Sequence, residues 1–107
     1  MAAASESGLA HLVFFTLEDQ SPASRQALVD ACREHLAGHS GMVHFSAGRR
    51  GDSYIRSVND QSFDVALVLV FETEADHDNY QTSPRHEQFI ASQSPNWAQV
   101  RVFDALV

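Results

Sequence analysis

The seven residues Val65–Phe71, VALVLVF, contain no polar side chain. The run is rich in β-formers and bounded by polar residues, so it reads as a strand. Successive side chains of a strand point to opposite faces, and a strand with one wet face alternates apolar with polar residues. This one does not alternate, so both of its faces have to be covered. Any fold of this chain must place Val65–Phe71 inside a sheet and find two apolar covers for it.

The rest of the chain supplies one cover. LAHLVFFTL, from Leu9 to Leu17, reads as a strand. Ser21-Pro22 follows as an N-cap with proline in the first helical position. Leu28, Ala31, Cys32 and Leu36 recur at helical spacing, and Gly38 is placed to stop that helix. GMVHFSAGRR predicts another strand and GDSYIRSVNDQ a polar loop. Beyond VALVLVF, Thr73 to Asp76 resembles a capping box, with Asp76 in place of the usual Glu or Gln. The helix it opens breaks near Ser83-Pro84, restarts through Glu87, Phe89 and Ile90, and ends at Ser94-Pro95. WAQVRVFDALV is the last strand.

The order β-α-β-β-α-β predicts an α+β, ferredoxin-like fold: four antiparallel strands, the first and third central, with both helices on one face. Nothing in a chain of 107 residues is then left for the other face. A second copy, sheet against sheet about a two-fold axis, is the simplest cover, so the expected partner is the protein itself.

Composition narrows the function. Seven basic against fourteen acidic residues give a net charge of −7, which argues against nucleic acid or an anionic membrane as partner. No apolar run approaches the ~18 residues of a membrane helix. Cys32 is the single cysteine, so no intrachain disulfide forms. The opening MAAASESG lacks the basic start and apolar stretch of a secretory signal. The expectation is a cytoplasmic protein with a loose tail over residues 1–8 and one domain over 9–107.

The candidate chemistry is sparse. No phosphate loop, nucleophile elbow or paired-carboxylate pattern occurs. No three or four His, Cys or carboxylate residues stand at a recognisable metal-ligand spacing, so no tightly bound zinc, copper or iron and no other cofactor is expected, while backbone carbonyls that could hold magnesium or calcium leave no sequence signature. His35 and His39 are four apart, but Gly38 ends the helix between them. His44 and His77 read as exposed, Cys32 as core, and Arg50-Gly51-Asp52 as a turn. Tyr80 and His86 are the informative pair. Six residues of unbroken helix would leave their rings roughly 120° out of alignment, and the Ser83-Pro84 break is placed to bring them together.

These segments carry a family resemblance. HLVFFTL, FDVALVLVFETEADHDNYQTSPRHEQF and VRVFDALV resemble the stress-responsive α/β-barrel (Dabb) family from about Leu9 to the C-terminus. The most specific part is Tyr80, then Pro84 followed two residues later by His86; His11 and Asp104 also fit. The resemblance implies a dimeric α/β barrel. It also implies that the face bearing His11, Val13, Phe15, Val65, Leu67 and Leu69 lines a central cavity for a small apolar or aromatic ligand, with Leu12, Phe14, Val68 and Val70 under the helices.

A family enzyme that cyclises a linear polyketide without a cofactor has its tyrosine and histidine at the positions of Tyr80 and His86. Its first-strand histidine corresponds to His11, and a further cavity histidine corresponds to Val65. The resemblance therefore implies His86 as general base, Tyr80 as its orienting or substrate-holding partner, and His11 as a third candidate. The leading reading is a homodimeric Dabb protein with an apolar small-molecule cavity and no assigned catalysis. A cofactor-independent cyclase-like or monooxygenase-like enzyme and a structural stress protein without ligand are the alternatives.

Overall fold

Four antiparallel strands, β1 (Leu9–Leu17), β2 (Met42–Arg49), β3 (Val65–Phe71) and β4 (Trp97–Leu106), form one sheet in the order β2-β3-β1-β4. The computed structural model describes residues 7–107. As the apolar runs require, β1 and β3 are central, paired from Leu9↔Phe71 to Phe15↔Val65. Most of the expected tail lies outside the described residues. Gly8, however, exchanges two backbone hydrogen bonds with Val107, extending the β1–β4 edge.

Helix α1 (Pro22–Leu36) starts where Ser21 accepts the Ser24 N–H and proline fills the first turn. It buries Leu28, Val29, Ala31, Cys32 and Leu36, and ends just before Gly38, whose φ of 76° is left-handed. The second helical segment is two helices, α2 (Glu74–Gln81) and α3 (Pro84–Gln93), followed by one 3-10 turn, Ser94–Asn96. Thr73 caps α2 by accepting the Asp76 N–H, and Ser83 caps α3 by accepting the His86 N–H at 3.1 Å. Arg85 ties α3 to α1 by donating to the Glu34 carbonyl.

The two faces of the sheet are reversed relative to the sequence reading. Residues paired across antiparallel strands share a face. His11, Val13, Phe15 and Leu17 on β1 and Val65, Leu67, Leu69 and Phe71 on β3 are all buried. The apolar members from Val13 onward pack with Leu28, Val29, Cys32, Leu36, Tyr80 and Phe89 of the helices. The open face carries Leu12, Phe14, Ala66, Val68 and Val70, each half-buried, with Phe103 of β4 alongside at 52% exposed. Alternation in the sequence separates the two sets but does not say which the helices cover. The outer strand β2 does, because His44, Ser46 and Gly48 pair with the open-face residues Val70, Val68 and Ala66. Small and polar side chains there belong on the uncovered side.

A buried ion pair holds the long loop to the core. Asp64, 1% exposed, accepts the Leu17 N–H and an Arg25 guanidinium N–H, both at 2.8 Å. Arg50 donates to the carbonyls of Gln61 and Phe63 and to Asp52, closing the base of the loop. Arg50-Gly51-Asp52 is accordingly a turn entrance, with Tyr54 N–H donating back to the Gly51 carbonyl.

Candidate functional site

Between the helices and the β1–β4 half of the sheet lies a cleft of about 310 Å³. One wall is apolar: Val13, Phe15 and Leu67 from the sheet, Phe89 from α3, and Trp97, Val100 and Val102 from β4. Phe15, Phe89 and Trp97 form a continuous aromatic group, with ring centroids 5.0–6.2 Å apart. The other end gathers His11, Tyr80, Gln81, His86 and Asp104. The cleft thus lies within one chain, between sheet and helices, and opens to solvent, whereas the expected cavity lay between two sheets. Val65 and Leu69, expected to line a cavity, are fully buried core residues outside this lining.

Strand register builds the polar end. His11 of β1 and Asp104 of β4 are direct cross-strand partners. The His11 Nδ1–H donates to Asp104 Oδ1 at 2.5 Å. This fixes the tautomer: the carboxylate only accepts, so Nε2 of the neutral ring carries the free lone pair. Burial holds the His11 imidazole below its ordinary pKa, against the hydrogen bond and charge of Asp104, which raise it.

Tyr80, at the end of α2, and His86, in the first turn of α3, meet across the Thr82-Ser83 break with ring centroids 4.8 Å apart. Tyr80 is 2% exposed and also touches His39, Phe71 and His11. Burial pushes its phenol far above its ordinary pKa, so the hydroxyl remains a donor at any working pH. Burial likewise lowers the pKa of half-buried His86, followed by the charges of His11 and His39, with Glu87 opposing. An imidazole so placed is neutral near pH 7 and able to accept a proton.

His77 corrects the sequence reading. It is 9% exposed, not a surface residue, and its ring lies 4.9 Å from that of His11. Its Nδ1–H donates to Asp78 and its Nε2 accepts from the Gln81 amide at 3.0 Å; the same amide nitrogen stands 3.5 Å from His11 Nε2. His11, His77 and Asp104 form a three-residue group able to hold a metal ion, their donor atoms within 4.8 Å of one another. The three come from β1, α2 and β4, at separations no short sequence motif encodes. Only the His11–Asp104 parity across the sheet could have hinted at it.

The remaining candidates do not line the cleft, although His39 packs against Tyr80 from behind. His39 Nε2 lies 3.0 Å from the His35 carbonyl, beyond the end of α1, and His44 is exposed on the open face. Cys32 is completely buried, and burial pushes its thiol up to about 12, which leaves it unreactive. A larger groove of about 500 Å³ between α1 and β2 is lined by Arg25, Arg33, Arg49 and Arg50. Asp64, Asp30, Asp52 and the loop carbonyls already engage three of these guanidinium groups, so it offers little free positive charge.

No curated protein matches the chain. Among solved structures, a dimeric ferredoxin-like protein of unknown function from Thermobifida fusca superposes with a TM-score of 0.78 at 18% identity, covering 96% of this chain and 93% of that one. A Dabb family protein with a ferredoxin-like fold from Mesorhizobium loti gives 0.78 at 20% identity, covering 95% and 98%. Hydroxynitrile lyase from Passiflora edulis gives 0.74 at 18% identity, covering 95% and 94%. At such identities the likeness carries the fold. The sequence itself matches the model of the stress responsive A/B barrel domain over residues 9–107, and the chain therefore belongs to the Dabb family.

Proposed function

We propose that the protein is a homodimer in which each subunit's cleft binds a small, mainly apolar molecule and moves a proton on it. The observation that carries this reading is the division of one cleft into an aromatic wall and an ionisable end. The apolar side supplies affinity by burying rings or alkyl groups. Tyr80 offers a hydroxyl donor to a ligand oxygen, and neutral His86 accepts a proton from the adjacent carbon or hydroxyl. Asp104 orients a second imidazole, that of His11, whose Nε2 lone pair stands 3.5 Å from the Gln81 amide nitrogen. The ligand class this fits is a flat or aromatic compound bearing a carbonyl or hydroxyl group at one end.

The dimer part of the proposal rests on the open sheet face, whose Leu12, Phe14, Val68, Val70 and Phe103 are left without a covering layer by the described residues, and on the dimeric state of the similar Thermobifida protein. Turnover, as distinct from binding, is favoured by the paired His11–Asp104 and Tyr80–His86 groups, and a protein of this shape is a hydroxynitrile lyase.

The test is native mass spectrometry of gently purified protein, followed by thermal-shift titration with a panel of aromatic ketones, aldehydes and phenols. A retained or stabilising compound whose effect is lost in His86→Ala and Tyr80→Phe, with the dimer intact, supports the reading. If no panel member binds and both substitutions change only the melting temperature, the cleft is structural and the proposal fails.

A further inference from the structure

We propose that His11, His77 and Asp104 form a binding site for one divalent transition-metal ion of the zinc class at the polar end of the cleft. Two imidazoles and a carboxylate are a donor set suited to zinc, nickel or copper and poorly suited to magnesium or calcium, which take oxygen ligands. Three protein ligands leave a coordination position open. Bonds of about 2.0–2.1 Å place tetrahedral ligand atoms about 3.4 Å apart, so the present spread of up to 4.8 Å must close. Side-chain rotation is enough. His11 and Asp104 are already in contact, the Asp104 side chain is 42% exposed, and among the described residues the His77 ring is hydrogen-bonded to exposed Asp78 and to Gln81 alone.

The hydrogen bonds around the group point the same way. Among the described residues the Gln81 amide nitrogen alone faces Nε2 of both His77 and His11, at 3.0 and 3.5 Å, and one small donor answers two imidazole lone pairs. A metal ion would take the place of the proton shared by His11 Nδ1 and Asp104, with His77 Nε2 turned onto it; the His11 ring would then carry its proton on Nε2 and donate it to the Gln81 amide, turned over to present its oxygen. Asp78, bonded to His77 Nδ1, would orient the second ring, as carboxylates beside metal-bound histidines do.

The experiment is calorimetric titration of zinc chloride into full-length protein stripped with chelator and dialysed, with elemental analysis of the product. One ion per chain with micromolar affinity is expected, undisturbed by excess magnesium. His77→Ala and Asp104→Asn should each weaken binding by at least about tenfold, while His35→Ala and His44→Ala leave it unchanged. Asp104 lies on an exposed edge strand, so its asparagine variant keeps the test valid even if His77→Ala fails to fold. No saturable uptake below millimolar zinc, or uptake untouched by Asp104→Asn, overturns the proposal. The titration needs no organic ligand, so its outcome is independent of whether the cleft binds one.

Discussion

At the scale of single residues, the cleft depends on imidazoles kept neutral by burial. The folded-state pKa of His86 lies below its ordinary value of 6.5, so the unfolded chain takes up this proton first on acidification. Its contribution to stability is complete above that value and is lost as pH falls from it through the lowered folded pKa. In chelator-treated protein, the melting temperature should therefore fall as pH drops below about 6.5, and fall less steeply in His86→Gln. Identical slopes for the two proteins would show that His86 is not held neutral by its surroundings. Tyr80→Phe removes only a hydroxyl and leaves the ring packed against Phe71 and His86. The fold should survive this change, while affinity for an oxygen-bearing ligand drops by about tenfold, the worth of one hydrogen bond near 1.4 kcal/mol.

At the scale of elements, the break between α2 and α3 does the positioning. A continuous helix from Glu74 to Gln93 would carry His86 away from Tyr80, because 3.6 residues per turn put positions six apart on different faces. Ser83 prevents this by capping α3 through the backbone N–H of His86 itself. Ser83→Ala should cost about 1 kcal/mol of stability and weaken any ligand of the cleft, whereas Ser83→Asp should restore both. Denaturant melts of the two variants decide the first effect. Equal stability of the alanine variant and the parent would mean that Pro84 alone sets the break.

At the scale of the whole molecule, the two faces of the sheet should respond differently to the same insult. Leu67 is 2% exposed and packed in the intrachain core, so Leu67→Asp buries an unpaired charge and should prevent folding. Val68, one residue on, is half-buried on the open face. Val68→Asp should leave a folded chain that runs as a monomer in light scattering where the parent runs as a dimer. A parent protein that is monomeric at micromolar concentration would refute the face-to-face dimer outright.

The amino-acid sequence by itself determined the local and periodic features. The unbroken apolarity of Val65–Phe71 demanded a central strand, Ser21-Pro22 and Ser83-Pro84 marked helix starts, and the order of elements left one topology. Each signal is local, carried by side-chain alternation or by capping chemistry within a few residues. Tyr80 and His86 were legible for the same reason, since the break that joins them lies between them. The tertiary structure alone decided which face the helices cover. Both faces of β1 and β3 are apolar, and only the pairing of His44, Ser46 and Gly48 of β2 against β3 separates them. It alone also brought His77 and Asp104 to His11, across 66 and 93 residues of chain, where register and helix docking act and no local pattern reaches.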